Sequence, residues 1–300
     1  MVQESVPLSE MLQAHKAWLD NATEGRRAGL GGITLNEEDL HGALLSRAVL
    51  TGATLLDADF SGADLSGAQL DRGDFQRGNF AGADLSSADL TGANFAGAWM
   101  NNARLAEATI READFRRARL VRAQIQEASI SGTSFRECDA KSMNCHQSRL
   151  FEADWSESDL RQAQFDHARL QCCCFTGVIA EGTNFDESTL DQCDFTRGQL
   201  EDARFRRAEV LQCSFHDARL VRTDFREARL RGSDFGRALL EGARFGGAKL
   251  ALADFRGASL RGACEMTGEQ LSQALTDHRT ILPNGSHGPY LRNSGAERAR

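Results

Sequence analysis

The sequence predicts an all-β solenoid of four-sided coils, with a short helix at each end. Three observations carry this. From residue 33 to residue 262 a five-residue unit repeats forty-six times without insertion or deletion, as in Ala58-Asp59-Phe60-Ser61-Gly62. Every residue number divisible by five, from Leu35 to Leu260, centres a unit, and thirty-seven of the forty-six centres are Leu or Phe. Aromatic centres also recur every twentieth residue: Phe75, Phe95, Phe115, Phe135, Trp155, Phe175, Phe195, Phe215, Phe235 and Phe255.

The short period sets the geometry. Residues two apart on an extended chain point to the same side. The centre therefore points inward together with the residue two before it, which is Ala in twenty-eight units. The residue between them points out, and the remaining two turn a corner. Helical apolar spacing of three and four does not fit a period of five. The twenty-residue aromatic recurrence makes four sides per coil, so each kind of centre stacks on itself. At the strand spacing of ~4.8 Å, roughly eleven coils make a rod of about 55 Å. Proline occurs only at positions 7, 283 and 289, outside the repeat, as a ladder that needs every backbone N–H requires.

The unit A-[DN]-[LF]-x-x, as in Ala63-Asp64-Leu65-Ser66-Gly67, resembles the motif of the pentapeptide-repeat family. The resemblance covers about three quarters of the chain. It implies a right-handed quadrilateral β-helix, here of eleven to twelve coils, and names no single activity. Some members imitate the shape and charge of duplex DNA, bind type II topoisomerases and protect them from quinolones or peptide toxins.

The elements follow in order. Residues 1–30 are expected to form an N-terminal helical cap. Leu8, Met11, Leu12, His15, Trp18 and Leu19 share a helix face, and Ser9 can cap its start. It reads as a lid over the open first coil; the alternative is a partner-binding helix. Outward Leu44, Val49 and Leu56 are candidates to receive it. Residues 31–262 are the solenoid, with degenerate units from Leu35 to Leu50, as terminal repeats often are. In the middle, Ala140 and Cys145 are small centres, and Trp155 in the same coil is read as filling the space they leave. Residues 263–283 hold a C-terminal capping helix, announced by the capping box Thr267-Gly-Glu-Gln270. The run Thr267-Gly268-Glu269-Gln270-Leu271 also resembles the ending of many bacterial family members. Residues 284–300 are polar and Gly-rich, and are expected to be disordered.

Chemistry is sparse. Cys172-Cys173-Cys174 invites a metal reading, but neighbours on a strand alternate, so only Cys173 points in. It forms an inward column with Cys193 and Cys213, in which Cys acts as a small apolar filler. Phe175, Phe195 and Phe215 form a second structural column. None of the seven His shows metal spacing or a nucleophile partner. No catalytic residue, cofactor or metal is expected, and the chain is not read as an enzyme. Eight Cys without a framework spacing fit a reducing compartment. With no signal peptide at Met1–Ser9 and no apolar run long enough for a bilayer, the chain reads as cytoplasmic, without membrane contact.

Outward residues then carry the function. The net charge is −8, and it is unevenly placed: residues 33–202 carry −13 and residues 203–262 carry +6. Arg204, Arg206, Arg207, Arg219, Arg222, Arg226, Arg229 and Arg231 crowd the basic end, with Glu209, Asp217, Asp224 and Glu227 interleaved. Asp39, Asp59, Asp139 and Asp159 share one face. Trp99, Phe151 and Val221 are outward apolar anchors. The expected role is a protein–protein interaction rod or adaptor of a bacterial assembly that does not bind nucleic acid itself. A terminal cap offers a homodimer contact. The alternative is a DNA mimic that binds DNA gyrase or another topoisomerase. Against it, Arg breaks the acidic columns on every face, and the projecting loops of many quinolone-resistance members are absent.

Overall fold

In the computed structural model, residues 7–298 are described, so the signal-peptide expectation at Met1–Ser9 falls largely outside them. The chain is a parallel β-solenoid with two short helices, and its contacts divide into two units at Phe135 and Arg136.

In the first unit, helix α1 (Leu8–Leu19) precedes the coils. Its N-cap is Pro7, whose carbonyl accepts the Glu10 and Met11 N–H groups at 3.0 and 3.1 Å. Ser9 therefore lies inside the first turn and does not cap it, which corrects the expectation. Leu44 also remains 45% exposed, so the helix is not seated on it. Strands β1 (Thr109–Arg111) and β2 (Ser129–Ser131) pair in parallel, with Ile110 opposite Ile130, twenty residues on. At twenty residues per coil, residues 28–135 make about five coils.

In the second unit, strands β3 (Arg149–Phe151), β4 (Arg169–Gln171), β5 (Thr189–Asp191) and β6 (Glu209–Leu211) form a parallel ladder with the same twenty-residue step. Residues 136–264 make about six coils. Every centre here is buried, and Phe175, Phe195 and Phe215 stack at 4.6 and 5.1 Å. Trp155, Ala140 and Cys145 are all fully buried, with the Trp155 ring edge-on to Phe165 at 6.0 Å.

One unit of five accounts for its backbone hydrogen bonds as follows. Asp64 N–H goes to Ala43 in the coil before, Leu65 N–H to Asp84 and Gly67 N–H to Ser86 in the coil after. Ala68 N–H closes the corner on Leu65 C=O at 3.0 Å. Only the Ser66 N–H is left, and the Asp64 side chain takes it at 3.0 Å. Gly67 has φ +62, so the second corner residue is left-handed, which Gly adopts without strain. Three of the inward Cys donate their thiols to a carbonyl of the coil before: Cys173, Cys193 and Cys213 reach Leu150, Leu170 and Leu190, each at 3.6 Å.

Helix α2 (Gly268–Gln273) starts with the expected capping box: Gln270 N–H to Thr267 Oγ1 at 3.2 Å, and Thr267 N–H to Gln270 Oε1 at 2.7 Å. Gln270 Nε2 also donates to the carbonyls of Phe245 and Ala248, at 2.7 and 2.8 Å, so the cap satisfies acceptors of the last coil. Residues 284–298 depart from the expected disorder. Ile281 bridges His287 antiparallel, Tyr290 N–H donates to Thr276 Oγ1 at 2.9 Å, and Ala296 is buried. A Gly-rich composition allowed this tight return, and the hydrogen bonds made across it hold it.

Candidate interaction surface

An outward Asp can do two jobs. Asp or Asn there accepts the N–H of the residue two further on, as Asp59 does from Ser61 at 2.8 Å and Asp89 from Thr91 at 3.0 Å. This is an Asx turn, and it completes the backbone bonding of the corner. Where the second residue is Arg, its guanidinium folds back onto the same carboxylate: Arg116 on Asp114, Arg161 on Asp159 and Arg226 on Asp224, each at 2.6 Å, and Arg256 on Asp254 at 2.5 Å. Counting charges along the sequence missed this. The signal was present as D-x-R across a corner.

A second pattern runs along the coils. Several charges twenty residues apart have opposite sign and meet. Arg77 pairs with Asp57, Arg206 with Asp186 and Arg222 with Asp202, at 2.6, 2.5 and 2.5 Å. Arg207 lies between Glu187 at 3.6 Å and Glu227 at 3.2 Å. Arg204 reaches Asp186 at 3.4 Å, and Arg219 reaches Glu201 at 2.5 Å. The Arg222 guanidinium beside Asp202 holds that carboxyl below its ordinary range, with burial opposing weakly. Arg204, Arg206, Arg207, Arg219 and Arg222 are therefore all paired. Their counter-ions, Asp186, Glu187, Glu201 and Asp202, were not singled out from sequence. The twenty-residue step could have found Asp186, Glu187 and Asp202, whereas Glu201 lies eighteen residues from Arg219.

Asp139 and Asp159 bridge as neighbours, and Lys141 Nζ lies 3.1 Å from a carboxylate oxygen of each. Burial pushes the Asp159 carboxyl up, but hydrogen bonds from Arg161 and Lys141 outweigh it, and the net direction is down. In the second unit, Asp139, Asp159 and Arg219 share one column, with Val221 and Arg222 on the corner beside it. Arg204, Arg206 and Arg207 lie on the next side, where Asp186, Glu187, Arg206, Arg207, Arg226 and Glu227 line a groove of about 300 Å³.

The apolar anchors are not gathered. Phe151, 43% exposed, and half-buried Val221 stand on opposite corners of the second unit, three and a half twenty-residue coils apart. Trp99 belongs to the first unit, is 53% exposed, and carries the Arg119 guanidinium 5.5 Å from its ring centroid. Leu239 and Leu252 are further exposed apolar residues that the sequence reading passed over. Leu252 is the more telling, being left-handed (φ 59) and 60% exposed where Gly is the easy choice. Phe175, Phe195, Phe215, Trp155, Cys173, Cys193 and Cys213 are buried and belong to the core.

These features define a β-solenoid repeat protein whose surface is built by its five-residue unit. A model described as "Pentapeptide repeat region" matches residues 188–264, and one described as "Pentapeptide repeats (8 copies)" matches 39–77, 74–105, 103–139 and 144–179. The chain belongs to the pentapeptide-repeat family. Among solved structures it is similar to HetL, involved in heterocyst differentiation regulation in the cyanobacterium Nostoc sp. strain PCC 7120. That match has 27% identity over 95% of this chain and 100% of the other, with TM-score 0.36. It is also similar to a thylakoid-lumen pentapeptide repeat protein of Arabidopsis thaliana, at 29% identity over 33% and 69% of the two chains, with TM-score 0.26. A third similarity is to QnrB1, a plasmid-mediated fluoroquinolone resistance protein, at 18% identity over 73% and 89%, with TM-score 0.28. No curated protein matches the chain.

Proposed function

We propose that the chain is a non-enzymatic protein-interaction scaffold, an adaptor in a bacterial cytoplasmic assembly. The supporting observation is the outward lattice of paired charges. Arg206 on Asp186 and Arg222 on Asp202 hold guanidinium and carboxylate at fixed steps along the coils. A regular surface of alternating charge suits a partner that reads both signs, with Trp99 and Phe151 as separate apolar anchors. The eight free thiols suit a reducing compartment. Among the described residues, no helix is long and apolar enough to cross a membrane.

The alternative is a DNA mimic acting on DNA gyrase or another topoisomerase. Its motive is the −13 carried by residues 33–202 and the neighbouring Asp39 and Asp59. A mimic must offer unpaired carboxylates to a cationic groove, and its affinity would fall steeply with salt. Lys141 between Asp139 and Asp159 works against that. A gyrase supercoiling assay separates the two readings. The scaffold reading expects no inhibition at micromolar protein. Nanomolar, salt-sensitive inhibition that is lost in Asp139→Asn with Asp159→Asn would replace it with the mimic.

A further inference from the structure

His15 is the one fully buried residue of α1, and both ring nitrogens are engaged. Nδ1 accepts the Ala28 N–H at 3.0 Å. Nε2 lies 3.1 Å from the Ser46 carbonyl oxygen, which can only accept, so Nε2 carries the hydrogen. The neutral Nε2–H tautomer is thereby the one that fits. Trp18 of the same helix stacks on the imidazole at 5.4 Å, with planes 15° apart. Ala28 opens the first coil, its carbonyl taking the Val49 N–H at 2.9 Å, and Ser46 is a corner residue further up the same unit. One imidazole thus ties the terminal helix to two points of the solenoid.

We propose that His15 is a pH-sensitive latch that holds the N-terminal helix on the end of the solenoid when neutral and releases it when protonated.

A proton on Nδ1 would set two N–H donors face to face at Ala28. It would also leave a cation in a site where, among the described residues, no carboxylate hydrogen-bonds the ring. The charged groups around it do not repair this. Arg27, on the segment leading into the coil, opposes a second positive charge, while Asp64 on the coils favours it only at long range. Arg27 is itself held by the Arg47 carbonyl. Glu10, Glu24 and Arg26 line a crevice of about 430 Å³ alongside, bounded by Ala14 and Ala28, and none of them bonds the imidazole. Burial, the largest influence, lowers the His15 pKa below its ordinary 6.5. The unfolded or undocked helix therefore takes up a proton first. Docking is fully favoured above pH 6.5 and weakens as pH falls through it, by up to about tenfold per pH unit. Release opens the first coil, whose Ala28 and Leu30 are buried with the latch closed. An uncapped solenoid end offers an apolar floor and unpaired backbone groups.

Amide hydrogen exchange on the full chain, corrected for the intrinsic pH dependence, tests this at pH 7.5 and 5.0. The expected result is a loss of protection of tenfold or more in residues 8–30 at pH 5.0, with residues 53–128 unchanged, and no pH effect in His15→Gln. Equal corrected protection at both pH values, or the same loss in His15→Gln, would overturn the latch. Should His15→Gln release the helix at both pH values, ring ¹⁵N shifts of the unaltered protein decide. The Nε2–H tautomer at pH 7.5 with a midpoint below 6.5 supports the latch, and an Nδ1–H tautomer or a midpoint at or above 6.5 rejects it.

Discussion

The Asp159 carboxylate accepts the backbone N–H of Arg161 at 3.2 Å and its guanidinium at 2.6 Å, so one side chain closes a corner and neutralises a surface charge. Fold and surface are therefore coupled at this residue. Asn can still accept the N–H but cannot hold the ion pair, whereas Ala can do neither. We expect Asp159→Asn to cost under about 1 kcal/mol, as exposed pairs do. Asp159→Ala should cost about 1–2 kcal/mol, because a corner N–H loses its acceptor. Chemical denaturation of both variants gives the ranking; equal costs would mean that the N–H bond contributes nothing.

Acid should act on the same lattice. Asp57, Asp59, Asp202, Asp217 and Asp254 are all held below the ordinary carboxylate value of 3.8, each first by a side-chain hydrogen bond, from Ser61 for Asp59 and from Arg for the other four. A folded pKa below the unfolded one stabilises above 3.8, and that contribution is lost as pH falls through the folded values. Denaturation midpoints measured from pH 7 to pH 2.5 should hardly change through this lattice above pH 5 and should fall steeply below 3.8. A midpoint that rose on acidification would show the carboxylates to be repelling rather than paired.

Phe195 lies between Phe175 and Phe215, at 4.6 and 5.1 Å, and is fully buried. Phe195→Ala should cost on the order of 3–5 kcal/mol, since flanking coils cannot collapse onto the gap while their ladders hold. An unchanged midpoint would contradict a packed column.

At Gly78 a Cβ would come 2.9 Å from the Phe80 ring and 3.2 Å from the Phe75 carbonyl oxygen. Here Ala, the commonest residue at this position of the unit, should be the wrong one. Gly78→Ala is expected to destabilise by about 1–3 kcal/mol through overpacking. A gain in stability would mean that the ring moves freely.

Leu252 sets stability against exposure. It is left-handed and 60% exposed, so Leu252→Gly should leave the fold intact and raise the stability by up to about 1 kcal/mol, the strain relieved exceeding the chain entropy added. A lower midpoint would show that the Leu252 side chain packs to advantage.

The sequence by itself determined the solenoid. A five-residue period admits one inward pair and one corner, and Phe and Leu centres sorted at twenty residues admit four sides; both follow from strand alternation and from like side chains stacking on like. It also determined the inward Cys column, through the same twenty-residue step, and the capping box on Thr267, which is local. Tertiary structure decided which carboxylate each Arg meets. Arg206 and Asp186 are twenty residues apart in sequence and 2.5 Å apart in space, so part of the basic run is paired with carboxylates of the coil before. Phe151 and Val221 look alike in sequence, but the phase of the coil puts them on opposite corners. The fate of His15 was likewise hidden: a helical face told that it turns toward the coils, and only the coils supply the Ala28 donor and the Ser46 acceptor that select its tautomer.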